Sequence, residues 1–226
     1  MKKVLAGILI SGFIAVHADL IVNGGFEEFG AEQGFVNHIY MSDLQDNNDP
    51  GVYQNDTWDV YKTIPGWHTT SGSGIEIQYN TIVDAHEGNL YVELDSHPSP
   101  NSNSGMTQDI YLDETSDLAL GFYYIPRTDD QYDNGIIVEF DDQTIDILAG
   151  SRPPQNEWVY YEYSLNDVAA GTHSLSFIAD GTENTYGGFI DNVSLNTVSV
   201  PEPGTLSLLG FGLISLLGLI PIRKKK

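Results

Sequence analysis

"GIIVEFDDQTIDIL", Gly135 to Leu148, decides the fold class. Ile136, Val138 and Phe140 alternate with Ile137 and Glu139, the period of a half-buried strand. The polar break Asp141-Asp142-Gln143 leads into a second β-rich run, Thr144–Leu148, so the stretch reads as a local hairpin. The same signature recurs on both sides. Ile75–Tyr79, Leu90–Asp95, Met106–Leu112, Leu118–Ile125, Glu157–Leu165, His173–Ala179 and Gly187–Leu195 are rich in Val, Ile, Tyr and Phe, with Gly, Asn and Asp between them. In His173–Ala179, Leu175 and Phe177 alternate with Ser174 and Ser176. Half-buried strands of this kind belong to antiparallel sheets with one wet face. So many short strands in one domain predict an all-β fold, an antiparallel β-sandwich of the jelly-roll type. Residues 28–56 resist that reading. They are rich in Gly, Asn and Asp, and are expected to form a long loop or insertion of the functional sort.

The two ends read differently from the middle. Met1-Lys2-Lys3, the apolar Val4–Val16 and the short residues of Val16-His17-Ala18 have the pattern of a secretory signal peptide, residues 1–18. The core domain is then 19–199. The tail, 200–226, begins with the stiff Pro201-Glu202-Pro203. It continues with an uncharged apolar run, 206–222, long enough as a helix to cross a bilayer, and closes on four basic residues, 223–226. The basic end is expected to stay cytoplasmic and the core outside.

Residues 19–199 hold 31 acidic side chains and three basic ones, Lys62, Arg127 and Arg152, a balance of −28. A field of that sign repels phosphate backbones, so nucleic acid is excluded as a partner, and cations are favoured. There is no cysteine, which excludes thiol catalysis, zinc–cysteine centres and a disulfide framework. Neither a G-x-S-x-G elbow nor an H-E-x-x-H metal motif is present. With so many acids, carboxylate pairs arise by chance and argue neither for nor against glycoside hydrolysis.

The tail resembles the PEP-CTERM sorting signal of Gram-negative bacteria, carried here by Pro201, Glu202 and Pro203, the Leu/Gly-rich run and the basic end. The resemblance implies an exosortase-type processing enzyme as partner and transient anchoring in the inner membrane. It also implies export to the cell envelope or extracellular matrix. The core resembles galactose-binding-like jelly rolls. "LIVNGGFEE" (Leu20–Glu28) is similar to their opening strand, "IPGWH" (Ile64–His68) to a Trp-bearing turn, "EGNLYVELD" (Glu87–Asp95) to a central strand and "YGGFIDNVSL" (Tyr186–Leu195) to the closing strand. That likeness implies a binding fold with a buried structural Ca2+. Glu27 and Asp191, with Asp95 as a third, are the expected ligands, because carboxylates are hard oxygen donors.

Flat aromatic rings stack on sugar faces, so Trp58, Trp67 and Tyr79 are the candidate polysaccharide contacts, followed by Trp158, Tyr123 and Tyr160. The sequence thus predicts an exported, non-catalytic protein that binds extracellular polysaccharide. A matrix component without a defined ligand and a glycan hydrolase or esterase remain the alternatives.

Overall fold

The computed structural model describes residues 19–28, 35–38, 57–97, 100–151 and 157–198. The expected signal peptide, the tail and most of 28–56 lie outside the described residues. The site and the strands, up to Thr197 of the last one, belong to the compact unit His17–Thr197.

Thirteen strands are described: β1 (Phe35–His38), β2 (Thr57–Tyr61), β3 (Thr63–Ile64), β4 (Trp67–Ser71), β5 (Ile75–Tyr79), β6 (Leu90–Glu93), β7 (Gly105–Leu112), β8 (Ser116–Ile125), β9 (Ile136–Phe140), β10 (Gln143–Leu148), β11 (Val159–Val168), β12 (Gly171–Ala179) and β13 (Phe189–Val198). They form two sheets, one of seven strands in the order β1-β2-β5-β6-β13-β8-β11 and one of six in the order β10-β9-β12-β7-β4-β3. The expected all-β sandwich of antiparallel sheets is the fold found.

The deciding hairpin forms as read. Gln143 pairs with Phe140, and the two turn residues Asp141 and Asp142 take φ of 51° and 58°. Positive φ at both positions matches the twist of the flanking strands, and Asp tolerates it. The core lies between the sheets. Ile77, Val92, Phe122 and Ile190 meet Trp67, Met106, Val138 and Phe177 there, all buried.

Three expectations are corrected. Leu20–Glu28 is not a strand. It runs beside β13 as a bent segment, joined by Leu20 N–H to the Leu195 carbonyl (2.8 Å) and by Val193 N–H to the Gly24 carbonyl (2.9 Å). Gly24 is required there, since a Cβ would strike the Val193 carbonyl. Residues 28–56 are not wholly loop, because β1 lies within them and pairs with β2. Nor is the outer face of the seven-stranded sheet wet throughout. Both faces of β6 are buried, and so is β5 up to Gln78. Register explains what is buried there: Ile77 pairs with Val92 on the core side, so Glu76 opposite Glu93 and Gln78 opposite Tyr91 share the outer side.

Candidate functional site on the outer sheet face

Two loops divide that outer face. Residues 80–89 cover one part, where Val83, Tyr91, Ile125 and Phe189 form a second small core flanked by Trp158. The Tyr91 hydroxyl accepts the N–H of Ile82 (3.0 Å) and Val83 (3.3 Å), and the Trp158 indole donates to the Asp84 carbonyl (2.9 Å). The His86 ring stacks on Tyr123 at 3.3 Å between centroids.

The other part is polar. Glu93 is fully buried at the centre. Arg127 Nη1 lies 2.6 Å from both of its carboxylate oxygens, Gln78 Nε2 donates to Oε2 (2.6 Å) and Gly187 N–H donates to Oε1 (2.7 Å). Gln78 Nε2 also reaches Glu76 Oε1 (2.8 Å), bridging the two carboxylates. Glu76 Oε2 accepts the backbone N–H of His97 (2.8 Å) and faces its ring Nδ1 (3.0 Å), while the His97 ring stacks on Trp58 at 4.4 Å. Burial first, and then the Glu76 carboxylate, push the Glu93 carboxyl well above the usual range, against the pull of Arg127.

Local structure fixes each of these groups. Asn134, next to the Gly135 turn, accepts the N–H of Arg127 (2.8 Å) and Thr128 (3.0 Å) on Oδ1 and donates from Nδ2 to the Thr128, Asp130 and Gly150 carbonyls. That hub holds the segment after β8 so that Arg127 turns inward over the sheet. The loop before β13 brings Tyr186. Its ring sits over the guanidinium, with Cζ 4.6 Å from the ring centroid, and stays 49% exposed. Thr185, whose carbonyl accepts from Arg127 Nη1 (3.0 Å), has φ of +69°, an unfavourable value for a β-branched residue. Strain of this sort persists where the surroundings over-determine the backbone. Gly187 follows because a Cβ would meet Asp95.

The expected site residues separate. Asp95 does not join Glu27 and Asp191. It stands at the far end of β6, five residues beyond Leu90, or roughly 16 Å along a strand. Its Oδ2 accepts the N–H of Asn184 (3.1 Å) and Tyr186 (2.9 Å), so it anchors the Tyr186 loop, and its Oδ1 is buried without a partner among the described residues. Glu27 and Asp191 do share one place. Glu27 Oε1 accepts the N–H of Asn89 (2.7 Å) and Leu90 (2.8 Å), and Asp191 Oδ2 accepts those of His86 (2.8 Å) and Glu87 (3.2 Å). Burial raises the Asp191 carboxyl to about 7, and the Glu27 charge adds to the effect. A cation suits such a pair, which would supply two of the six to eight oxygens that calcium takes. Among the described residues no three His, Cys, Asp or Glu stand close enough to share a metal.

Trp67 is corrected from sugar contact to core anchor. It is 2% exposed, packs between Phe26 (5.8 Å) and Phe177 (6.0 Å) and donates its indole N–H to the Asn23 carbonyl. Tyr79 packs against the main core. Trp58, half-buried on His97, is the sequence candidate that borders the polar cluster. Glu76, Glu93, Arg127 and Tyr186 were not foreseen. One signal did exist, since Arg127 is one of only three basic residues against 31 acids in 19–199. A lone cation in an acidic domain is a natural partner for a buried carboxylate.

Residues 199–224 match the PEP-CTERM protein-sorting motif. The motif marks an exported protein sorted through the envelope of a Gram-negative bacterium and implies processing by an exosortase. No curated protein matches the chain. Among solved structures, the Stig cyclase Fisc from Fischerella sp. TAU, in complex with (3Z)-3-(1-methyl-2-pyrrolidinylidene)-3H-indole, overlays with a TM-score of 0.51 at 16% identity, over 82% of this chain and 100% of its own. An apo cyclase from Fischerella sp. gives a TM-score of 0.51 at 14% identity, over 81% and 98%. TmCBM61 in complex with beta-1,4-galactotriose gives 0.41 at 16% identity, over 58% and 88%, an overlap too partial to argue from. At these identities the likeness shows the fold. It also corrects the expectation of a non-catalytic chain: the fold family contains cyclases, so a jelly-roll core does not set catalysis aside.

Proposed function

We propose that this chain is an exported protein that binds polysaccharide on the outer face of its seven-stranded sheet, against Tyr186 and Trp58. The setting of Tyr186 carries the reading. One face of its ring rests on the Arg127 guanidinium, the side chain is half exposed, and Asp95, Glu93 and Arg127 fix the loop on both sides of it. A pyranose offers a flat C–H face to such a ring, and a ring already held in place loses little conformational freedom on binding. His97, partly exposed beside Trp58, suits sugar hydroxyls, which both donate and accept. The pair Glu27 and Asp191 is proposed to hold a structural Ca2+ away from this site.

The test is Tyr186→Ala. The variant is expected to bind the polysaccharide retained by the wild type at least tenfold more weakly in affinity electrophoresis, about 1.4 kcal/mol. Its melting temperature should stay within a few degrees, since the ring is exposed. Undiminished retention would contradict the proposal. Product release is scored in the same gels.

A further inference from the structure

We infer that the polysaccharide is an uncharged one, and that this face discriminates against uronate-bearing or sulfated chains; the inference rests on the polysaccharide-binding reading above. An anionic glycan needs cations or backbone donors at its charged groups. Between residues 19 and 199 the chain has three basic side chains to give, against 31 acids. Arg127, the one at the site, is already engaged. Its Nη1 contacts both oxygens of Glu93 and the Thr185 carbonyl, and its guanidinium plane lies beneath Tyr186. Lys62 Nζ lies 3.2 Å from the Gly72 carbonyl, and Arg152 lies outside the described residues.

The remaining polar groups point the same way. Glu76 and Glu93 are neighbours across two strands, bridged by one amide, and Arg127 is paired with Glu93. A sugar carboxylate placed against Tyr186 would meet an Arg127 already paired with Glu93, the Asp95 carboxylate that holds the Tyr186 N–H, and the acidic field of the whole domain. Neutral hydroxyls carry no such penalty. The face therefore selects through ring stacking and hydroxyl contacts, with charge acting as the exclusion device.

Affinity electrophoresis of the core domain in chelator separates the outcomes, with galactan, mannan, xylan and glucan as neutral probes and polygalacturonate and alginate as acidic ones. At least one neutral polymer is expected to retard the wild type and to lose that effect in Tyr186→Ala. The acidic polymers are expected to bind at least tenfold more weakly at about 20 mM NaCl, with the gap narrowing at about 300 mM as screening grows. Acidic polymer retained as well as neutral, and lost in Tyr186→Ala, overturns the charge discrimination and leaves the Tyr186 site standing. Retention that ignores Tyr186→Ala, or no retention at all, overturns the site and the inference together.

Discussion

Arg127→Met is expected to destabilise the protein by about 3–5 kcal/mol, the usual result of removing one partner from a buried ion pair. Glu93 would keep its place under the sheet face with its counter-ion gone and Glu76 still opposite. Methionine roughly fills the volume but offers no donor to Glu93 or to the Thr185 carbonyl. Urea unfolding at pH 7 measures the loss. Two controls separate charge from shape. Adding Glu93→Gln to Arg127→Met removes the stranded charge and leaves an acceptor for Gly187 N–H, so the double variant should recover more than half of the deficit. Lowering the pH should shrink the deficit of the single variant, because burial and Glu76 already favour the protonated Glu93. A single variant within about 1 kcal/mol of the wild type would mean that the pair contributes nothing.

In chelator, stability should fall as the pH rises from about 4 to about 7, the reverse of ordinary acid denaturation. Asp59 and Asp191 are both fully buried, and burial lifts each carboxyl to about 7. A carboxyl with a raised folded-state pKa binds more protons in the folded than in the unfolded chain between the two values. Its stabilising effect is therefore complete at acid pH and gone above about 7. At about 1.4 kcal/mol per pKa unit, each group accounts for a few kcal/mol. His173 acts in the same direction: Asp141 and the Ala169 carbonyl hold its ring nitrogens, raising its pKa, so its contribution is also lost as pH rises. His86 opposes them below its ordinary range, because burial disfavours its charged form. Asp191→Asn should flatten the profile by one group's share. If Glu27 and Asp191 hold Ca2+, added calcium should restore stability at pH 7.5 in the wild type but not in Asp191→Asn. Stability that rises from pH 4 to 7 in chelator would refute the assignment of Asp59 and Asp191, and calcium-independence at pH 7.5 would remove the metal.

The architecture was readable wherever packing writes a period into the chain. Ile136–Phe140 and His173–Ala179 alternate because one face meets the core, and their strands fall where expected. Strands β2 to β4 were harder to see. "TWDVY" carries the polar Asp59, which becomes buried only after distant strands assemble, and in "WHTTS" only Trp67 is buried, so neither run shows a clear apolar period. Trp67 illustrates the limit of residue type. A Trp in a Pro-Gly turn looks like a surface platform, yet Phe26 and Phe177 arrive from 41 and 110 residues away to enclose it. The polar cluster is non-local in the same way. Glu93 and Gly187 lie 94 residues apart, Glu93 and Arg127 lie 34 apart, and no spacing rule relates them. Glu27 and Asp191 were found by resemblance and do stand together, whereas Asp95 was drawn in by sharing a strand with residues near them.

The central claim, a glycan face at Tyr186 and Trp58, is tested most directly by following the indole N–H signals of the three tryptophans by NMR during titration with a neutral oligosaccharide. The indoles of Trp67 and Trp158 are tied to the carbonyls of Asn23 and Asp84, away from the polar cluster, whereas Trp58 borders it on His97. The account predicts a saturable shift of the Trp58 signal, together with the backbone amides of Tyr186 and Gly187, while Trp67 and Trp158 stay in place. Saturable shifts at Trp158 or elsewhere, with Trp58 and Tyr186 unmoved, would contradict it.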